Sequence, residues 1–492
     1  MRLRNIYLNI LTVAAISMAT SCNDFLEEEV FSQLAPGNYL TNKEGIESVL
    51  TDAYAKTANM RTNNSIYVIA PQEWPTDMLY QSGDNVERTA RNFINFNWDP
   101  AIDFLTGNWD PPYQAIRNCN MLLEAIDEAA LTDAEKAAYK AECRFLRAVN
   151  YIKLYDMFGP VPLRVSTSDE LQLPRASDEE MRAFIETELQ AVVPVLPNPG
   201  EEPAYGRAHK AAALGFLCKY YLNARQWENA ASTANQIITD FNYGLFDSYE
   251  DLFRVENERN EEFIWVRPAL ASTDRATANS WSNTAFPANF AEAPELGVSY
   301  LQTYVNWPNE FRIYDAFYNS FDPNDRRRKL FVTSYINSDG ETVSLLDEDN
   351  IRSFKYIPDP NATGASHGND IPEIRYADIL LSRAEALNEL SGPNQESIDL
   401  INQVRERANV DPLELADFPS KESLRDHIVD ERGWEFYSEG HRRMDLIRTD
   451  RFISGALARG KTNAQEHHKL YPIPLAVMES NPALAGHQNE GY

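Results

Sequence analysis

Between Arg207 and Thr239 the chain carries two helical patterns, Arg207–Asn223 and Trp227–Thr239, separated only by Ala224-Arg225-Gln226. So short a connection makes the two helices antiparallel neighbours. Ala212, Leu214, Gly215, Tyr220, Trp227 and Ala230 alternate small and large, so that small residues admit close approach and large ones fill the gap. One such pair cannot bury its own apolar stripe and must stack on others. The period recurs. Phe145, Val149, Ile152 and Tyr155 follow helical spacing and stop at Phe158-Gly159-Pro160. Ala377, Leu380, Leu381, Ala384 and Leu387 repeat it and end at Ser391-Gly392-Pro393, and a further helix is expected over about Ser423 to Ser438.

Two stretches break this pattern, one near 60–112 and one over 246–372. Both are rich in Asn, Asp, Gly, Pro, Trp and Tyr, with short strands expected at Phe263–Val266 and Leu330–Tyr335. Long irregular segments inside a compact protein usually carry function. The expected fold is mainly α: a tetratricopeptide-like scaffold of about four helix pairs, with a second irregular lobe of long loops and a few short strands. A helical-repeat region over 41–245, with its insertion near 60–112, precedes a C-terminal region over 246–492. That region holds the irregular segment 246–372 and a helical segment 373–450.

The N-terminus reads as an export signal. Arg2 and Arg4 precede an apolar stretch from Ile6 to Ile16, and small residues then lead to Cys22. The apolar part is too short to span a bilayer. Residues 1–21 are therefore expected to be a cleaved signal peptide, with Cys22 the acylated first residue of a lipoprotein. Ala19 and Ser21 depart from the Leu and Gly or Ala usual at such a site, and ordinary cleavage leaving a plain thiol is the alternative. Residues 22–40 form an acidic tether containing Glu27-Glu28-Glu29. The other cysteines, Cys119, Cys143 and Cys218, are odd in number and widely spaced within helical patterns, so buried thiols are expected.

Lys and Arg total 45 against 74 Asp and Glu, a net charge of −29 that repels nucleic acid and anionic lipid. No sequence motif spells a reaction: G-x-G-x-x-G and H-E-x-x-H are missing, and Gly364–Gly368 and Gly455–Thr462, which fit G-x-S-x-G and G-x-x-x-x-G-K-[ST] by letter, follow neither of the expected strands. His467 and His468 are adjacent, a poor geometry for chelation. Asp347-Glu348-Asp349-Asn350 lacks the Gly and spacing of a calcium loop and reads as a solvated turn. No cofactor and no metal are expected.

Several blocks, taken in order, resemble the SusD/RagB family across nearly the whole mature chain. Glu142-Cys143-Arg144-Phe145-Leu146-Arg147-Ala148 through Tyr151 and Phe158-Gly159-Pro160-Val161-Pro162-Leu163 form the first. Leu196-Pro197, Gly206-Arg207, Ala211-Ala212 and Asn260-Glu261-Glu262 follow. Arg375-Tyr376-Ala377-Asp378-Ile379-Leu380-Leu381 through Glu385 is the most specific, continued by Glu431-Arg432, Glu435-Phe436 and Gly440-His441-Arg442-Arg443. Tyr471-Pro472-Ile473-Pro474 and the closing Gln488–Tyr492 segment complete the series, with Glu490 where the family usually has Pro. Arg147 and Arg375 are expected to pair with helix-borne acids, Glu385 and Glu435 being the obvious partners. The resemblance implies a non-catalytic nutrient-binding subunit, lipid-anchored in the outer membrane and facing the cell exterior. It implies an oligosaccharide ligand and a partner, a SusC-like TonB-dependent transporter. A peptide-binding RagB-like subunit is the alternative, and a surface hydrolase a remote one, since two carboxylates would suffice for it.

A sugar site needs flat rings for the C–H faces and planar polar side chains for the hydroxyls. The candidates are Trp98 and Trp281, flanked by polar residues, then Tyr300, Trp307 and Trp74, with Arg88 and Asn92 as polar partners. Trp109 and Trp265 are expected to be core. Because two acyl chains are what make anchoring stable, Cys22→Ala is expected to move the processed protein out of the membrane fraction. An unchanged membrane fraction would exclude lipidation.

Overall fold

The computed structural model describes residues 39–58, 64–83, 86–271, 279–307 and 311–492; the signal segment, Cys22 and the tether through residue 38 lie outside them. Among the described residues, four helix pairs build the scaffold. Helix α1 (Lys43–Thr57) packs on α2 (Asp103–Ala125), and α3 (Asp133–Phe158) on α4 (Asp178–Val192). Likewise α5 (Lys210–Asn223) packs on α6 (Trp227–Asp240), and α7 (Tyr376–Ser391) on α8 (Gln395–Arg407). Contacts of α2 with α3 and of α6 with α7 join neighbouring pairs, and α9 (Lys421–Phe436) closes the row against α7. Capping boxes fix two helix starts, Thr132 with Glu135 for α3 and Ser177 with Glu180 for α4.

The irregular lobe holds short antiparallel strands. β1 (Leu79–Gln81) pairs with β5 (Phe311–Ile313), and β2 (Phe263–Arg267) with β10 (Ile371–Arg375). β3 (Phe290–Ala293), β4 (Val298–Ser299), β7 (Ser334–Asn337) and β8 (Thr342–Ser344) form one sheet in the order β4-β3-β7-β8. β6 (Phe331–Val332) pairs with β9 (Arg352–Ser353). The single strand expected over 330–335 is therefore two, broken at Thr333 because its halves pair with different partners. The insertion near 60–112 is also more helical than expected. It contains Asn64–Glu73, Glu87–Ile94 and the start of α2, and in the second of these Ala90, Phe93 and Ile94 bury one helical face. Gly215 of α5 serves an approach to a strand: a Cβ there would lie 2.7 Å from Ile374 of β10. Cys119, Cys143 and Cys218 are free and buried, and Trp109 and Trp265 lie in the core as expected.

Scaffold and lobe meet in a buried ionic joint. Arg375, where β10 becomes α7, donates to Glu262 at 2.6 Å and to Glu435 at 2.6 Å, and its Nε reaches Glu439 at 2.8 Å. Arg407 of α8 bonds Glu262 and the same Glu435 carboxylate. Arg327 of the lobe bonds Asp325, Glu431 and Glu435. Lys355 spans from the lobe to Glu439 at 2.5 Å. All these side chains are buried. The Arg375–Glu435 pair is as expected, but Arg147 pairs with Glu188 at 2.6 Å, and Glu385 takes Arg448 at 2.6 Å. Sequence blocks give the helices but not which neighbouring face each Arg meets. Although burial opposes its ionisation, Arg407 and Arg375 hold the Glu435 carboxyl well below the usual range. Removing one member strands the others' charge in the interior. Glu435→Ala is expected to cost about 3–5 kcal/mol, read by denaturant unfolding.

Candidate ligand-binding face

The β1–β5 ribbon joins the two irregular insertions. Its register sets Leu79 opposite Ile313, Tyr80 opposite Arg312 and Gln81 opposite Phe311. Strand alternation turns Leu79, Gln81, Phe311 and Ile313 into the core and leaves Tyr80 and Arg312 half-buried on the outer face. Tyr314 continues that face, its ring 5.6 Å from Tyr80. Trp74 and Trp281 support the ribbon from beneath, packing on Phe311 at 5.9 and 4.9 Å.

Because the strands are antiparallel, the chain leaving Gln81 and the chain entering Phe311 emerge at the same end. The helical turn Glu87–Ile94, with exposed Arg88, and the segment ending at half-buried Trp307 come from that end. The Trp307 N–H donates to the Asn283 carbonyl at 2.8 Å. Half-buried Tyr300 donates its hydroxyl to the Tyr304 carbonyl at 3.1 Å. The opposite end opens into a cleft of about 510 Å³ lined by Tyr314, Phe317, Trp434, Asp77, Arg459 and Lys461, among others. Trp434 stands at its wall, with Nε1 donating to Ser320 Oγ at 3.0 Å. Burial opposes ionisation of Asp77, but the Arg442 guanidinium, at 2.7 Å, holds its carboxyl well below the usual range. Planar rings beside guanidinium, ammonium and carboxylate groups can stack on a sugar face and bond its hydroxyls. Among the described residues no group of three or more His, Cys, Asp or Glu is placed to hold a metal ion. No helix among them is long and apolar enough to cross a membrane.

A family model described as "SusD family" matches residues 261–492, and one described as "Starch-binding associating with outer membrane" matches residues 24–222. The chain belongs to the SusD family. A SusD-like protein of Formosa agariphila is 26% identical over 100% of both chains. The starch-binding protein SusD of Bacteroides thetaiotaomicron is 27% identical over 85% of this chain and 84% of its own. A surface glycan-binding protein A of the same bacterium, solved with laminarihexaose, superposes with a TM-score of 0.74 at 20% identity, covering 91% of this chain and 100% of that one.

In this SusD-family chain the residues singled out from sequence divide in two. Arg88 is exposed, and Asn92, on the same helical turn, is half-buried, as are Trp307 and Tyr300. Trp98, Trp281 and Trp74 are core rings and not exposed platforms, at 7%, 0% and 0% exposure. Trp98 lies 4.3 Å from Tyr471 and 4.9 Å from His468, covered by the C-terminal segment. Trp281 donates to the Ser353 carbonyl at 3.1 Å. Tyr80, Arg312, Tyr314, Trp434, Arg459 and Lys461 are not among the residues singled out from sequence. For the ribbon a signal was present: Phe311-Arg312-Ile313-Tyr314 alternates apolar and outward-facing residues at the period of a strand. A buried indole truncated to Ala leaves a cavity costing about 3–5 kcal/mol. Trp98→Ala and Trp281→Ala are each expected to lose that much stability, whereas Trp307→Ala melts within a few degrees of the parent, as calorimetry would read.

Proposed function

We propose that this chain is a non-catalytic, lipid-anchored outer-membrane protein that captures an oligosaccharide and passes it to a SusC-like TonB-dependent transporter. The observation that carries this reading is the convergence of both irregular insertions on one outward face. There Tyr80 stands opposite Arg312, Tyr314 and Trp434 line the cleft with Arg459 and Lys461, and Trp307 and Arg88 lie on the segments that lead into the ribbon's other end. The laminarihexaose complex of the structural neighbour and the starch-binding description of the N-terminal family model support a glycan as the ligand class. The same description supports the outer membrane as the site of action, and Cys22 supplies the attachment.

The acids of the face favour binding over hydrolysis. A glycosidase needs one carboxyl kept protonated near neutral pH and a second opposed to it. Asp77 is held ionised by Arg442, and Glu87 is tied to Arg91. Rings and fixed hydrogen-bonding groups can hold a sugar without either role being filled.

Titration calorimetry of the purified chain against a polysaccharide and peptide panel tests the reading. A glycan is expected to bind, and Tyr80→Ala and Trp307→Ala each to weaken it by about 1–2 kcal/mol. The ligand is expected to be recovered intact after prolonged incubation. Binding of peptides alone, or products that accumulate with the purified chain, would overturn it.

A further inference from the structure

With 74 acidic residues to 45 basic ones, carboxylates are abundant enough to pair every basic side chain, and the buried joint uses them that way. The ligand face departs from this. Arg88, Arg312, Arg459 and Lys461 have no carboxylate at ion-pair distance among the described residues. Arg459 gives one Nη to the Pro75 carbonyl at 3.2 Å, and Lys461 reaches Asn95 Oδ1 at 3.4 Å. The Arg312 side chain makes no hydrogen bond at all among the described residues, although its Nε, like that of Arg459, is buried. Burial pushes the Arg312 and Arg459 guanidiniums below their usual pKa, and burial and then the Arg459 charge do the same to Lys461.

Among the described residues, the acids that could have answered these cations are engaged elsewhere. Asp77 is bound by Arg442, Glu87 by Arg91 and Asp430 by Arg451. Asp315 and Asp349 each accept the other's backbone N–H. Among the described residues, Glu348 stands exposed near Arg312. Desolvated donors without acceptors are sites waiting for an anion, and a guanidinium takes a carboxylate or sulfate through two parallel hydrogen bonds. The cations also sit among rings, Arg312 opposite Tyr80 and Arg459 and Lys461 in the cleft with Tyr314 and Trp434. An acidic peptide would supply the anions, whereas an acidic oligosaccharide carries, on the same residues as its anions, a flat C–H face for those rings.

We infer that this face selects an acidic oligosaccharide, one bearing carboxylate or sulfate groups, with Arg312, Arg459 and Lys461 as its anion-binding side chains and Arg88 at the far end. The inference rests on the glycan-capture reading and narrows it. An array of neutral, uronate-containing and sulfated oligosaccharides, probed with the mature chain, gives the first test. The glycans retained are expected to carry acid groups. Calorimetry on one of them and on its carboxyl-reduced or desulfated counterpart is expected to show at least ten-fold tighter binding of the acidic form. Arg312→Gln and Lys461→Gln are each expected to lower that ratio at least three-fold. Arg88→Gln, at an exposed position, supplies the same comparison if Arg312→Gln fails to fold. Retention of neutral glycans only, equal affinity for the two forms, or an unchanged ratio in the variants overturns the acidic preference while glycan capture stands. Retention of acidic peptides in place of any glycan overturns both.

Discussion

The ionic joint around Glu435 is the constraint on which the rest of the molecule depends. Its carboxylate is shared by Arg375, Arg407 and Arg327, which reach it from the β10–α7 junction, from α8 and from the irregular lobe. Desolvating so many charges is costly, and the cost is offset only while every donor finds its acceptor. A rotation of the lobe against the scaffold would break several charge-assisted bonds at once. The joint therefore fixes relative orientation in a way that apolar packing, which tolerates sliding, does not. Lys355 adds a further tie, donating to the carbonyls of Glu435 and Tyr437 as well as to Glu439. Next to it, Glu73 accepts from the Gly440 N–H and is pushed up to about 8 by burial, so it stays protonated at neutral pH and adds no unpaired charge.

That joint explains why the helical part was legible in the sequence and the pairing within it only partly so. Periodic apolar residues and Gly-Pro stops mark helices directly, because the same local spacing that buries a stripe also defines the element. Tyr376–Ser391, Lys210–Asn223 and Trp227–Asp240 fall within a few residues of where the pattern puts them. The Arg375–Glu435 pair was legible because both residues lie in adjacent blocks of the C-terminal half. Arg147 was not, because its partner Glu188 lies on α4, the neighbour set by stacking, and not on the helix that carries Glu385.

The candidate face failed to show in the sequence for a physical reason that the tryptophans illustrate. A polar flank normally argues for exposure, and Trp281 sits in Ser280-Trp281-Ser282-Asn283-Thr284. Those polar side chains are nonetheless buried, because Ser282 donates to the Tyr356 carbonyl and Asn283 to the Ala365 carbonyl. In a lobe with little regular structure, side chains satisfy backbone groups that a sheet ladder would otherwise take. Polarity there marks structural need as much as solvent. Trp98 is hidden in a different way, by Tyr471 and His468 from the far end of the chain, which no local window can see.

The face that remains is built so that support and recognition can vary independently. Along β1 and β5 every second residue points inward, so Leu79, Phe311 and Ile313, with Trp74 and Trp281 beneath, set the position of the ribbon. Tyr80, Arg312 and Tyr314 point outward and touch none of the ionic joint. Replacing an outward residue changes which rings and charges a ligand meets while leaving the inward packing intact. A fold whose stability lies in a buried ionic joint and stacked helices can thus hold its shape while the outward residues of the short ribbon between its two insertions vary.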